Sequence, residues 1–159
     1  MSEGLLTSGH SKDQKAVKTY SVLLVDDSYQ DRLLMRQTFR HHPTFSIIGE
    51  LGDGVEAIAY LLGQEKFTDR RTFPFPDLLI LDLEMPHKNG FEVLAWLQTC
   101  PFKYLVVTIM SGTALPEDRE RCLALGAHAF YPKNPTTPGR DAIIHNLKTL
   151  LDTRHLDRA

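Results

Sequence analysis

The sequence predicts a doubly wound α/β domain, and three observations carry that expectation. Short β-type runs alternate with longer helical stretches five times along the chain. Several of the runs, SVLLV at 21–25 and DLLILD at 77–82 above all, are nearly continuous apolar segments, the mark of strands buried on both faces of a parallel sheet. Polar and acidic residues then stand directly after the runs, where an open parallel sheet gathers its ligands.

Taken in order, residues 1–19 are polar and are expected to form a flexible extension ahead of a folded domain at 20–153, with 154–159 as a tail. After SVLLV, Ser28 and Asp31 form a capping box, and Leu34, Met35 and Phe39 follow at helical spacing on a helix over 29–41. FSIIGEL at 45–51 reads as the second strand and VEAIAYLL at 55–62 as the second helix. The stretch 63–76, polar and carrying Pro74 and Pro76, is expected to be a loop, with Arg70 and Arg71 solvated. DLLILD leads to a turn closed by Gly90 and a helix at 91–98, in which Phe91, Leu94 and Trp96 belong to the core. YLVVTIM at 104–110 gives the fourth strand, and Pro116 heads a fourth helix, since proline suits a first helical turn. AFY at 129–131 is the fifth strand. The last helix is expected over 139–153, after a break at Pro138-Gly139, with Ile143, Leu147 and Leu150 as its stripe.

At 159 residues the chain suits one domain, with 42% apolar and 24% charged residues. A formal charge of −2 gives no basic footprint for nucleic acid. No run approaches the roughly 20 apolar residues of a membrane helix, and the first twenty residues lack the apolar centre of a secretory signal. Cys100 and Cys122 are expected as reduced core thiols of a cytoplasmic protein. His41, His42, His128, His145 and His155 lack metal-binding spacing and are expected as surface or core residues.

The strand ends carry the chemistry. Asp26 and Asp27 follow the first strand, Asp82 ends the third, Ser111 ends the fourth and Lys133 follows the fifth. Three carboxylates at one sheet edge repel unless a cation joins them. A hard divalent ion, Mg²⁺ or Mn²⁺, suits such a site and bridges to phosphate oxygens.

Five segments in this order, VLLVDDS (22–28), GDGVEA (52–57), DLLILDLEMPHKNG (77–90), VVTIMSG (106–112) and GAHAFYPK (126–133), resemble the receiver domains of two-component response regulators. The resemblance covers about 20–153 and implies a flavodoxin-like (βα)5 sandwich with parallel strand order 2-1-3-4-5. It implies that Asp82 accepts a phosphoryl group, and that Asp27 ligates Mg²⁺ directly while Asp26 acts largely through metal-bound water. Asp82 and the backbone carbonyl of Glu84 complete the metal set. It implies that Ser111 and Lys133 contact phosphoryl oxygens, that Phe130 is the switching aromatic coupled to Ser111, and that Pro86 and Gly90 shape the turn after Asp82. The loop and helix at 112–125 would then be the surface that changes.

The chain departs from the family pattern after Lys133, where Asn134 intervenes before Pro135, a bond whose isomer is left open. Glu84 and Thr113 occupy the positions that tune the acyl phosphate's lifetime. The long 63–76 segment and the short C-terminal end resemble the stand-alone regulators paired with bacterial phytochromes. A phytochrome-type histidine kinase as donor, an unidentified downstream protein, and a homodimer through the fourth helix, fifth strand and fifth helix are the partners implied. On this reading the protein is a switch rather than an enzyme. Three rival classes ask for other residues at these positions. A haloacid dehalogenase-type phosphohydrolase wants a second aspartate where Glu84 stands. A flavin binder wants a phosphate loop where Asp26 and Asp27 stand. A phosphorylation-independent module would lack one of the acidic or lysine groups.

Overall fold

The computed structural model describes residues 17–113, 115–133 and 137–157. Five parallel strands alternate with five helices: β1 Tyr20–Val25, α1 Tyr29–Arg40, β2 Phe45–Leu51, α2 Gly54–Leu62, β3 Leu78–Asp82, α3 Gly90–Thr99, β4 Val106–Ser111, α4 Pro116–Ala124, β5 Ala129–Pro132 and α5 Thr137–Leu156. The sheet order is β2-β1-β3-β4-β5, as expected from the sequence.

Alternation along the strands divides the core in two. Leu23, Val25, Leu79, Leu81, Val107 and Ile109 face one side, under Tyr60 and Leu61 of α2, Leu94 of α3 and Cys122 of α4. Val22, Leu24, Leu78, Ile80, Val106 and Met110 face the other, under Phe39 of α1 and Ile143, Leu147 and Leu151 of α5. The central strands are therefore apolar on both faces over most of their length, which explains the continuous runs in the sequence. The strand order reverses between β1 and β3, which pair directly from Val22 with Leu78 to Val25 with Leu81. That adjacency brings the residues after β1 beside the end of β3.

Two glycines hold the turn after β3 close to its neighbours. A Cβ at Gly90 would meet the Asp82 carbonyl oxygen at 2.4 Å, and one at Gly54 would meet the Lys88 carbonyl oxygen at 2.3 Å. Gly90 N–H donates to the Leu83 carbonyl at 3.0 Å and Gly54 N–H to that of Lys88 at 3.1 Å. The turn is thus fastened to α2 as well as to its own strand.

The 63–76 segment is a loop, as expected, with a 3₁₀ turn at Glu65–Phe67. Phe67 and Phe73 pack edge to face, and both rings meet Tyr60 at a tilt or edge-on, with ring centroids 5.0–6.1 Å apart. Several other expectations are corrected. Arg70 is not solvated: its guanidinium donates to the carbonyls of Tyr60 and Leu61 at 2.8 Å and of Phe73 at 3.3 Å. It therefore satisfies the last carbonyls of α2, which have no partner within the helix, while Arg71 is exposed as expected. Helix α5 begins at Thr137, so Pro138 lies in its first turn, where a missing N–H costs nothing. It continues to Leu156, and Arg154 donates to the Lys103 carbonyl at 2.9 Å, so residues 154–156 belong to the fold rather than to a tail. Cys122 is buried, but Cys100 caps the C-terminus of α3 and is only half-buried. The N-terminal extension up to residue 16 and the Asn134-Pro135 bond lie outside the described residues.

Replacing Arg70 with methionine keeps an apolar stem but leaves three carbonyls without their charged donor. Urea unfolding is expected to show a loss of about 1–3 kcal/mol, with lysine recovering less than half because it lacks the fork of donors.

Candidate functional site

Chain geometry assembles the site before any side chain is considered. The β1 end delivers Asp26 and Asp27, the β3 end delivers Asp82, the β4 end delivers Ser111, and Lys133 follows β5. Oxygens of Asp26, Asp27 and Asp82 all lie within 4.8 Å of one another. Asp82 is 4% exposed and Ser111 is 1% exposed, whereas Asp27 is open to solvent. The carboxylates that sequence reasoning placed together are together.

Lys133 is the counter-charge. Its ammonium lies 2.8 Å from Asp26, 2.8 Å from Asp31 and 3.3 Å from Asp82. Its backbone N–H donates to the Ser111 carbonyl at 2.8 Å, which fixes the base of the side chain at the end of β4. Burial acts to lower the lysine pKa, but the bonds to Asp26 and Asp31 and the charge of Asp82 outweigh it, and the net shift is upward. The ammonium stays charged across the physiological range.

Asp31 was not foreseen as part of this group. As an acid three residues after Ser28 it reads as a capping partner, and half of that motif forms: Asp31 N–H donates to Ser28 Oγ at 3.2 Å. The reciprocal half does not. The Asp31 carboxylate accepts from Lys133, and Ser28 N–H donates to Asp26 Oδ1 at 2.9 Å. A capping pattern and a site acid look alike in sequence. The neighbouring Arg32 is also drawn in, donating to the Asp26 carbonyl and pairing with Glu50 at 3.4 Å.

Ser111 is engaged with the loop after β4. Its hydroxyl donates to the Thr113 carbonyl at 2.8 Å and accepts from Thr113 N–H at 3.2 Å. Phe130 is buried in the core at 6% exposure. Glu84 is exposed, its backbone N–H helps the Asp82 carboxylate, and it lines an open groove with Asp27, Pro86, Thr113 and Asp118. The turn from Glu84 to Asn89 is braced by a second contact the sequence reading missed, His87 Nδ1 to Asp53 Oδ2 at 3.1 Å. His87 carries a positive φ of 64°, and Asp53 also caps α2.

The donor set suits a hard divalent ion: three carboxylates, one of them accessible, with an open groove on the accessible side. Soft or tetrahedral chemistry has no matching ligands here. Residues 22–144 match the profile of the response regulator receiver domain. The chain belongs to that family. Among curated relatives, this receiver is 32% identical over 97 residues to the response regulator Rcp1 of Synechocystis sp., covering 61% of this chain and 64% of that one. It is also 30% identical over 126 residues to a protein-glutamate methylesterase/protein-glutamine glutaminase of Saccharophagus degradans, covering 79% of this chain but 32% of the relative. The receiver thus spans about a third of the methylesterases that it matches. Among solved structures it is similar to the Mn²⁺-bound form of Rcp1, with TM-score 0.68 and 26% identity over 82% of this chain and 92% of that one. It is likewise similar to the phosphorylated cyanobacterial phytochrome response regulator RcpA, with TM-score 0.69 and 25% identity over 82% and 91%. No described helix is long and apolar enough to cross a membrane.

Burial first, and then the charge of Asp26, push the Asp82 pKa up to about 6, against the pull of Lys133. An acid raised by folding keeps its proton longer in the native state than in the unfolded chain. Between the ordinary value of 3.8 and about 6 the native protein binds more protons, so stability falls as pH rises through that window and stays lowered above it. Asp82→Asn is neutral throughout. In chelator-treated protein it is expected to exceed wild type by about 1–3 kcal/mol at about pH 7.5, with the advantage closing as pH falls toward about 4, as measured by urea unfolding.

Proposed function

We propose that the protein is a phosphorylation switch of two-component signalling, in which Asp82 takes a phosphoryl group from a phosphohistidine of a sensor kinase. The observation that carries this reading is the buried Asp82 carboxylate with an ammonium 3.3 Å away and two further carboxylates beside it. An Asp82 oxygen attacks phosphorus, the P–N bond to the donor histidine breaks, and the histidine nitrogen takes up a proton. The work left to the protein is positioning and charge neutralisation.

Asp26, Asp27, Asp82 and the Glu84 carbonyl would hold a divalent ion, Mg²⁺ or Mn²⁺, which when bound offsets negative charge between acceptor and phosphoryl oxygens. Lys133 would supply a further positive charge, by exchanging one carboxylate partner for a phosphoryl oxygen. Ser111 must give up its bonds to Thr113 to reach the same group. That exchange would draw the loop after β4 toward Asp82 and carry the signal to α4. Phe130 lies on the adjoining strand and would repack with it. Leu115 and Leu123, exposed on and beside α4, fit an assembly surface on the α4–β5–α5 face, and we assign homodimerisation there.

The likeness to Rcp1 and RcpA supports a phytochrome-type kinase as the donor. A further neighbour, RPA3017, belongs to red-light signalling in R. palustris and has TM-score 0.67 at 25% identity. On this reading the protein does not turn over a substrate, and its output is a surface that another protein reads.

Incubation with acetyl phosphate and Mg²⁺ is expected to add one phosphoryl group per chain, counted by intact mass. Labelling should vanish with chelator and in Asp82→Asn. Continued release of phosphate from small esters, without a stable one-to-one product, would favour a phosphohydrolase instead.

A further inference from the structure

We infer that Asp31 is a positioning residue that takes over Lys133 when the aspartate triad binds a divalent ion. The inference rests on the metal-binding reading above and deepens it. Asp26 has its Oδ1 occupied by the Ser28 N–H at 2.9 Å, and its Oδ2 is held by Lys133 at 2.8 Å. The same ammonium lies 3.3 Å from an Asp82 oxygen. Lysine and a divalent ion therefore contend for the same carboxylates. Of the three acids within 4 Å of Lys133 among the described residues, only Asp31 stands outside the cluster whose oxygens converge within 4.8 Å.

Asp31 is placed for this role by local structure. It sits in the first turn of α1, fixed by the Ser28 cap, and helix α1 is tied to β2 through Arg32 and Arg36 on Glu50, each at 3.4 Å. Its side chain is 27% exposed, while that of the lysine it holds is 15% exposed. Asp31 can keep the lysine beside the site at little desolvation cost while Asp26 and Asp82 turn to the ion. Without Asp31 the ammonium has, among the described residues, only Asp26 and Asp82 of the triad to pair with, and it stays there as a competitor.

The test is a double-mutant cycle on ion affinity. Mn²⁺ is added to wild type, Asp31→Asn, Lys133→Met and the double variant, and free Mn²⁺ is read from its electron paramagnetic resonance signal. Asp31→Asn in the presence of Lys133 is expected to weaken binding roughly tenfold, in the range found when groups that orient metal ligands are removed. With Lys133→Met as background the same substitution is expected to cost less than about threefold, since only its own charge is then lost. Equal or larger losses without Lys133 would overturn the role and leave the metal site standing, as would unchanged affinity in Asp31→Asn. A wild type that binds no Mn²⁺ removes both the site and the role. Asp31→Glu, a second variant that keeps the charge, is expected to bind within about threefold of wild type. A tenfold loss in that variant, with its thermal unfolding unchanged, would also contradict the account.

Discussion

One ammonium group organises the site. Lys133 stands among Asp26, Asp31 and Asp82 at the edge of the sheet, and without it the acids would oppose one another at close range. Its charge lets Asp82 sit almost fully buried beside Asp26, with a pKa raised only to about 6. Because the lysine is anchored through its backbone to Ser111, the same residue links the acid cluster to the end of β4. The resting state is thus a balance of one cation against several anions, open to change by a second cation or a further anion.

The rest of the fold keeps that balance in place. Strands β1, β3 and β4 are buried on both faces, and their direct pairing holds the strand ends side by side. The turn after Asp82 is clamped where Gly90 and Gly54 meet backbone oxygens, and where His87 meets Asp53. The loop after Ser111 is held by lighter means, chiefly the serine's own bonds to Thr113. Rigidity on the β3 side and a light latch on the β4 side fit a device in which the acceptor stays still and the reporter moves.

Much of this was legible in the sequence because it depends on chain direction. Continuous apolar runs imply a parallel sheet, a parallel sheet collects its strand ends, and Asp26, Asp27, Asp82, Ser111 and Lys133 each follow or end a strand. What escaped depends on side-chain direction over long sequence separations. Asp31 was hidden behind a capping pattern, and its true partner lies 102 residues away. Arg70 was hidden in a polar stretch, since nothing local says that its guanidinium turns back onto the end of α2. The aromatic cap of Tyr60, Phe67 and Phe73 was equally silent, because its phenylalanines are spaced for neither helix nor strand. The end of α5 was set too early because its last turn is polar, yet Arg154 and His155 find partners on the loops beneath.

The central claim is that Asp82, and no other group, receives the phosphoryl. An acyl phosphate is reduced by borohydride to the alcohol with loss of phosphate, so the acceptor carries a permanent mark. Peptide mass spectrometry after phosphorylation and reduction should find homoserine at position 82 alone. Homoserine at Asp26, Asp27 or Asp31, or a phosphoryl group found intact on a serine or histidine, would contradict the account.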